Sequence, residues 1–409
     1  MLREDVLQRC VAYAIAGIRH VIATFGPREP GGEGETRAQT HFAEQLQAWT
    51  DEVRTEPFTV RPRAFMGFLR VAGTLFLAAM LAYWLLPILA LAFSSGAVAV
   101  VLLQFLFYRE FLDPLYPART SHNVVGTQRA ADERKRVLIL CGHADAAYEW
   151  PFHYHGGPAS LSAVVIGMVI AGVFKLATDL LCVALGGPLA APEGLWRTLG
   201  FVQWAGSPFF IAMFFFSDFR RVVPGANDNL TGSLLAIAIA KYLHETDTRF
   251  DHTEVQYLIT GSEEAGLRGA KAYARAHADE LAQVETAVIV LETLRDLEHM
   301  AVYARDMSGT VRNAPRVCAL LEQAGRDCGR QLPLSTVYLG STDAAAFTQA
   351  GVPAAALAAM DPTPARYYHT RLDGPDNLSA ECIEQGMRVT LAALARFDQA
   401  GLDRGGEHP

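Results

Sequence analysis

Clustered positive charge is what this 409-residue chain most clearly lacks. Lys and Arg total 35 against 43 Asp and Glu, a formal net charge of -8 at pH 7, and no basic run or basic-aromatic stripe occurs that could collect phosphates. A nucleic-acid partner is therefore excluded. Cysteine is equally uninformative as a scaffold: the six residues, Cys10, Cys141, Cys182, Cys318, Cys328 and Cys382, form no CxxC pair and no short disulfide framework. They read as reduced, mostly buried thiols. The start, MLRED, lacks a basic region ahead of its apolar stretch CVAYAIAGI, which Arg19 and His20 soon follow, so an amphipathic helix is expected there and not a signal peptide.

Charge is missing altogether from Val71 to Tyr108. That run is nearly twice the roughly 20 residues needed to cross a bilayer, which predicts a two-helix transmembrane hairpin turning between Pro87 and Gly96. A second apolar block contains candidate spans over residues 161–185 and 199–219, separated by GGPLAAPEGLWRT. The third span carries Lys175 and Asp179 one turn apart, either a self-neutralising pair or a transport group. An apolar fraction of 51% and a mean hydropathy of +0.16 agree with a membrane component. Even numbers of crossings leave every soluble part on one side. Arg61, Arg63, Arg70, Arg109, Arg119, Arg220 and Arg221 flank that side and only Arg197 lies opposite, so the positive-inside rule predicts a cytoplasmic catalytic domain, the alternative being extracytoplasmic.

Outside these blocks, strand-like and helix-like patterns alternate. Residues 4–24 have helical periodicity up to Gly26-Pro27, RAQTHFAEQLQAWT continues as a helix, and EVRTEPFTVRP alternates like a strand. From Asn229 onward, βα alternation runs almost to the end. The fold class expected is α/β, a three-layer sandwich with a mixed, mainly parallel central sheet and about four transmembrane helices inserted as two hairpins. The domain reading follows: residues 1–64, 111–158 and 220–400 form the catalytic domain, 65–110 and 159–219 are the hairpin insertions, and 401–409 is a polar tail.

Five short motifs sit at predicted strand ends, where α/β proteins place function. LILCGHADA supplies His143 and Asp145, an imidazole with a carboxylate able to hold its second nitrogen. PGANDNLTG supplies Asp228; taken alone it is an ordinary turn and N-cap signal. YLITGSEEAGLRGA carries adjacent Glu263 and Glu264, either an acid/base beside a ligand or a solvated helix start. AVIVLETLRD ends on Glu292, and ARYYHTRLDGPDNL contains His369 and Asp373. Together these residues make the nitrogen and oxygen donor set that two zinc ions need, with one carboxylate free to bridge. His153 and His155, in EWPFHYHG, could add ligands but read better as part of an interfacial aromatic cluster.

In this order the motifs resemble the di-zinc exopeptidase family of bacterial leucyl aminopeptidases, glutaminyl cyclases and glutamate carboxypeptidase-like proteins, and within it the membrane-bound vacuolar and endoplasmic-reticulum metallopeptidase branch. FGPREPGGEGE and GSTDAAAFTQAGVPAAAL extend the likeness over nearly all the soluble sequence. The resemblance implies two Zn2+, one held by His143, Asp228 and Glu292 and the other by Asp228, Glu264 and His369. It further implies Glu263 as general base, Asp145 orienting His143, and a cis peptide after Asp228. The position of Glu292 is usually aspartate, but the membrane-bound branch also has glutamate there. The function expected is a membrane-anchored aminopeptidase acting on peptide or peptide-like substrates. The alternatives are glutaminyl cyclisation, carboxypeptidase action or a catalytically silent binding or assembly module. Tyr338, Tyr367 and Tyr368 are candidates for oxyanion support by sequence proximity, and nothing in the sequence fixes the oligomeric state.

Overall fold

In a computed structural model that describes residues 2–402, the chain divides into two compact units, one of residues 1–62, 118–147 and 222–409 and the other of 63–117 and 148–221. From residue 403 on, the tail expected at 401–409 lies outside the described residues.

The first unit is built on strands and helices that alternate along most of its chain. Helices α1 (Glu4–Phe25) and α2 (Glu33–Trp49) precede strands β1 (Glu52–Val60), β2 (Arg119–Gln128) and β3 (Arg136–His143). The other unit holds α3 (Ala64–Ala82), α4 (Pro87–Val100), β4 (Tyr148–Glu149), α5 (Pro151–Leu181), α6 (Gly194–Val202), α7 (Ser207–Ala212) and most of β5 (Asp218–Val222). The first unit then resumes with α8 (Thr231–Glu245), β6 (Thr253–Thr260), α9 (Arg268–Leu281), β7 (Glu285–Leu294), β8 (Met300–Asp306) and β9 (Val311–Arg312). It ends with α10 (Pro315–Asp327), β10 (Leu334–Thr336), α11 (Asp343–Gln349), β11 (Ala354–Ala359) and α12 (Ala380–Ala400).

Its sheet runs β1-β2-β6-β3-β7-β11-β8-β10, with β9 beside β8. Pairs β6–β3, β3–β7 and β7–β11 at the centre are parallel, whereas β1–β2, β2–β6, β11–β8 and β8–β9 are antiparallel. The edge pair β8–β10 is parallel as well, so the sheet is mixed, and the expectation of a mainly parallel one holds at its centre and at that edge but not for the four antiparallel pairs. Leu138 and Leu140 of β3 share a core with α1, α2, α8, α10 and α12. Val137, Ile139 and Cys141, equally buried, alternate toward the opposite face, where α9 and α11 pack, which makes three layers.

Two glycines set how closely α8 approaches this sheet. A Cβ on Gly142 would meet Ser233 N at 2.6 Å, and one on Gly232 would meet Leu291 O at 2.0 Å. Only glycine lets the start of α8 lie against the ends of β3 and β7.

In the other unit, α3 and α4 form a hairpin, Phe76 stacks on Phe210 at 4.5 Å, and Lys175 Nζ lies 2.5 and 2.6 Å from the two oxygens of Asp179. Both members of that pair are fully buried, as a self-neutralising pair must be in apolar surroundings. The hairpin turns at residues 83–86, earlier than the window from Pro87 to Gly96, because Pro87 stands in the first turn of α4, where its missing N–H costs nothing. The apolar stretch 199–219 falls largely within one continuous helical run, Gly194–Phe215, in which α6 and α7 are joined by a 3-10 turn, and it ends in β5. Five helical stretches among the described residues, Glu4–Phe25, Ala64–Ala82, Pro87–Leu106, Pro151–Gly186 and Gly194–Phe215, are long and apolar enough to cross a membrane by length and composition. The first of them, α1, buries Val6, Leu7, Cys10, Val11, Ala14, Ile18 and Val21 in the core of the first unit.

Candidate metal centre

Parallel strands end at one edge of the sheet, and the loops that follow them gather the chemically active side chains. His143 ends β3, Glu292 lies near the end of β7, and the Glu263-Glu264 turn follows β6. Asp228 stands on the turn leading into α8, with its peptide bond to Asn229 cis.

Asp228 faces two imidazoles, one with each oxygen. His143 Nε2 lies 3.2 Å from Oδ1, and His369 Nε2 lies 3.2 Å from Oδ2 and 3.3 Å from Glu264 Oε1. Glu263 Oε2 is 3.8 Å from His143 Nε2. Ligand atoms of His143, Asp228 and Glu264 all fall within 4.8 Å of one another. Glu292 stands slightly apart: Oε1 accepts a hydrogen bond from the Thr293 hydroxyl at 2.9 Å and Oε2 one from Asn229 Nδ2 at 3.2 Å.

The supporting contacts are specific. Asp145 Oδ1 lies 3.2 Å from His143 Nδ1 while the Asp145 carboxylate accepts from the backbone N–H of Glu263 and of Glu264, each at 3.0 Å. One carboxylate thereby orients an imidazole and the glutamate pair together. Asp373 accepts from Asn227 Nδ2 at 2.7 Å and from the backbone N–H of Asp228 at 3.0 Å, fixing the main chain on which Asp228 is mounted. Ser262 and His369 hold left-handed backbone conformations, φ 54° and 51°, a geometry that concentrates at functional sites.

Arg28 and Glu35 carry site geometry that sequence reasoning missed. The fully buried Arg28 guanidinium donates to the carbonyls of Ala144, Pro224 and Gly225 at 2.7, 2.8 and 2.9 Å, tying the His143 loop to the Asp228 turn. Glu35 accepts from the Ser262 backbone N–H at 2.6 Å and from Gly31 N–H at 2.7 Å. Asp343, also buried, accepts from the Thr260 hydroxyl at 2.6 Å. No local pattern in the polar, glycine-rich stretch from Arg28 to Glu35 signals burial; only the contacts made across the fold do.

Negative charge dominates. Burial pushes the Glu263 and Glu264 carboxyls above the usual range and that of Glu292 to about 8. Burial also opposes ionisation of Asp228, but the hydrogen-bonding imidazoles of His143 and His369 hold its carboxyl well below the usual range. For His143, burial favours the neutral ring, yet the neighbouring Glu263, Asp145 and Asp228 carboxylates keep its pKa well above the ordinary value. Four carboxylates around two imidazoles cannot all ionise without added positive charge. A mixed nitrogen and oxygen donor set, buried and arranged about a carboxylate with both oxygens presented, fits zinc.

Other candidates fall elsewhere. His153 is buried and His155 exposed at the start of α5, outside the metal-capable cluster found among the described residues. Tyr367 is occupied: its hydroxyl donates to Asp296 Oδ2 at 2.8 Å. Tyr338 is 72% exposed, and the Tyr368 ring lies against His369 with centroids 4.0 Å apart.

Comparison with known proteins gives a family likeness for part of the chain and a likeness of fold for nearly all of it. Peptidase family M28 matches residues 213–394, the stretch containing Asp228, Glu263, Glu264, Glu292 and His369. Among solved structures, BSAP, a zinc aminopeptidase from Bacillus subtilis, is similar at 16% identity and a TM-score of 0.57, covering 94% of this chain and 95% of that one. An aminopeptidase from Aneurinibacillus sp. strain AM-1 is similar at 14% identity and a TM-score of 0.57, covering 96% and 95%. A glutaminyl cyclase from an Acidobacteriales bacterium is similar at 14% identity and a TM-score of 0.55, with coverage of 96% and 95%. At such identities the likeness is one of fold. No curated protein matches the chain in sequence. Residues 213–394 are thus similar in sequence to peptidase family M28, and the chain as a whole shares a fold with these zinc aminopeptidases and glutaminyl cyclases.

Proposed function

We propose that this protein is a membrane-anchored, zinc-dependent exopeptidase of the aminopeptidase kind, acting on peptides or peptide-like amides. The observation that carries the reading is Asp228, buried and presenting one oxygen to His143 and the other to His369. His143, Asp228 and Glu292 would hold one zinc, and Asp228, Glu264 and His369 the second. Bound there, the ions would acidify a shared water and polarise the scissile carbonyl.

Glu263 is the general base. It lies on the His143 side of the cluster, and its backbone is fixed by Asp145, so its carboxylate can take a proton from the attacking water and return it to the leaving amine. Asp145 acts through others, setting the His143 ring and the turn carrying Glu263 and Glu264. Burial excludes bulk water from these groups, which strengthens each electrostatic contact.

Anchoring is supported by the second unit, whose long apolar helices leave Leu81, Leu85, Ile170, Val173 and Leu185 widely exposed. The arginine flanks favour a cytoplasmic catalytic unit. Zinc analysis of the purified protein, combined with hydrolysis of aminoacyl-4-nitroanilides, tests the chemistry. Zinc-dependent release of 4-nitroaniline is expected. Cyclisation of amino-terminal glutamine or release of carboxy-terminal residues in its place would transfer the cage to those chemistries. Folded protein that takes up no zinc would mark a silent binding module.

A further inference from the structure

The second unit contains a hollow that the chemistry of the metal centre does not use. Its volume is about 450 Å3, and Trp84, Ala191, Pro192, Arg197, Phe201 and Trp204 line it. Three chain segments converge there. The turn after α3 brings Trp84, the loop after residue 186 brings Ala191 and Pro192, and α6 with the 3-10 turn after it brings the rest. They are tied together: the Tyr83 hydroxyl donates to Trp196 O at 2.9 Å, and Ile88 N–H donates to Pro188 O at 3.1 Å. Trp84 and Phe201 lie with ring centroids 4.7 Å apart.

The segments that carry the lining residues also carry exposed leucines, Leu81 at 61%, Leu85 at 79%, Leu189 at 72% and Leu195 at 65%, with Glu193, which precedes α6, an exposed carboxylate beside them in sequence. Arg197 is the single cation between Asp179 and Asp218 in sequence, and its guanidinium makes no ion pair among the described residues. A guanidinium beside two indoles, set in exposed leucines, matches a phosphodiester with hydrocarbon attached: the arginine donates paired hydrogen bonds to the anion, the indoles sit at headgroup depth, and the acyl chains follow the leucines.

We infer that this hollow binds the phosphate of a membrane glycerophospholipid through Arg197, with Trp84 and Trp204 as its walls. The site rests on the membrane-anchored reading, and its test separates the two. Purified protein is mixed with phosphatidylglycerol vesicles for flotation, and bound phosphatidylglycerol is counted by native mass spectrometry after detergent extraction. Wild type floats and retains lipid; Arg197→Gln still floats but binds phosphatidylglycerol about tenfold more weakly, as expected for loss of a charge-assisted pair. Trp204→Leu weakens retention as well, and Arg220→Gln, on a side chain 93% exposed, leaves it unchanged. Excess inorganic phosphate does not displace the lipid.

Equal retention by wild type and Arg197→Gln, with both floating, overturns this site and leaves the anchoring intact. Displacement by inorganic phosphate assigns an unspecific anion site and overturns it too. Wild type that stays at the bottom of the gradient overturns the anchoring and the lipid site together. Melting curves matching wild type keep a lost adduct from being misread as unfolding.

Discussion

Asp228 is useful because its surroundings leave it no freedom. Asp373 fixes its backbone, two imidazoles face its oxygens, and the Arg28 guanidinium braces the turn from below. Glu263→Gln keeps the volume and removes the base, so kcat should fall by about 10²- to 10⁴-fold while zinc content stays constant. Wild-type turnover in that variant would remove Glu263 from the chemistry. Arg28→Met strips three buried carbonyls of their donor and leaves nearby carboxylates without their fixed cation, which should destabilise the fold by roughly 3–5 kcal/mol. Denaturant melts read that loss, and a change below about 1 kcal/mol would show that water replaces the guanidinium at little cost.

Helices show that length and apolar composition alone do not decide what covers an apolar face. α1 is long and apolar enough to cross a membrane, yet its apolar stripe packs on α8, α12 and α2. Ile18→Ala, at a fully buried position of α1, should therefore cost about 2–5 kcal/mol of stability, measured on detergent-solubilised protein by chemical denaturation. A negligible cost would mean that α1 is not part of this core. By contrast, α3 is packed on α4 and α7, whereas α5 leaves Ile166, Val169, Ile170 and Val173 exposed, apolar surface that no described residue of its own unit covers. The turn between them falls at Pro87 because proline starts a helix well and continues one badly.

At the scale of the whole molecule, the buried acids make folding and metal binding one problem. Removing zinc with a chelator should lower the melting temperature, and adding zinc back should restore it, since an ion that binds only the folded chain stabilises it by mass action. An unchanged melting temperature across chelation would indicate that protons alone neutralise the cluster. A reporter fused after Pro409 should behave as cytoplasmic; the opposite result reverses the orientation drawn from the arginines.

Strand ends, the Glu263-Glu264 pair and the histidine motifs were legible in the sequence because their signals are local: apolar runs that stop at glycine, and carboxylates where a loop begins. The same holds for the long apolar segments, whose length and lack of charge are sequence properties. The roles of Arg28, Glu35 and Asp373 were not legible, since each acts on backbone groups far away in the chain, and a polar residue carries no local mark of a distant carbonyl or N–H. Arg19 and His20 already set α1 apart from the charge-free segments of the second unit, but its pattern states which face is apolar and not what covers it. Only the tertiary structure decided that, by bringing α8 against α1 and by gathering the segments of His143, Glu263 and Glu264, Glu292 and His369 about Asp228, where the interaction of charges at short range sets which groups hold protons.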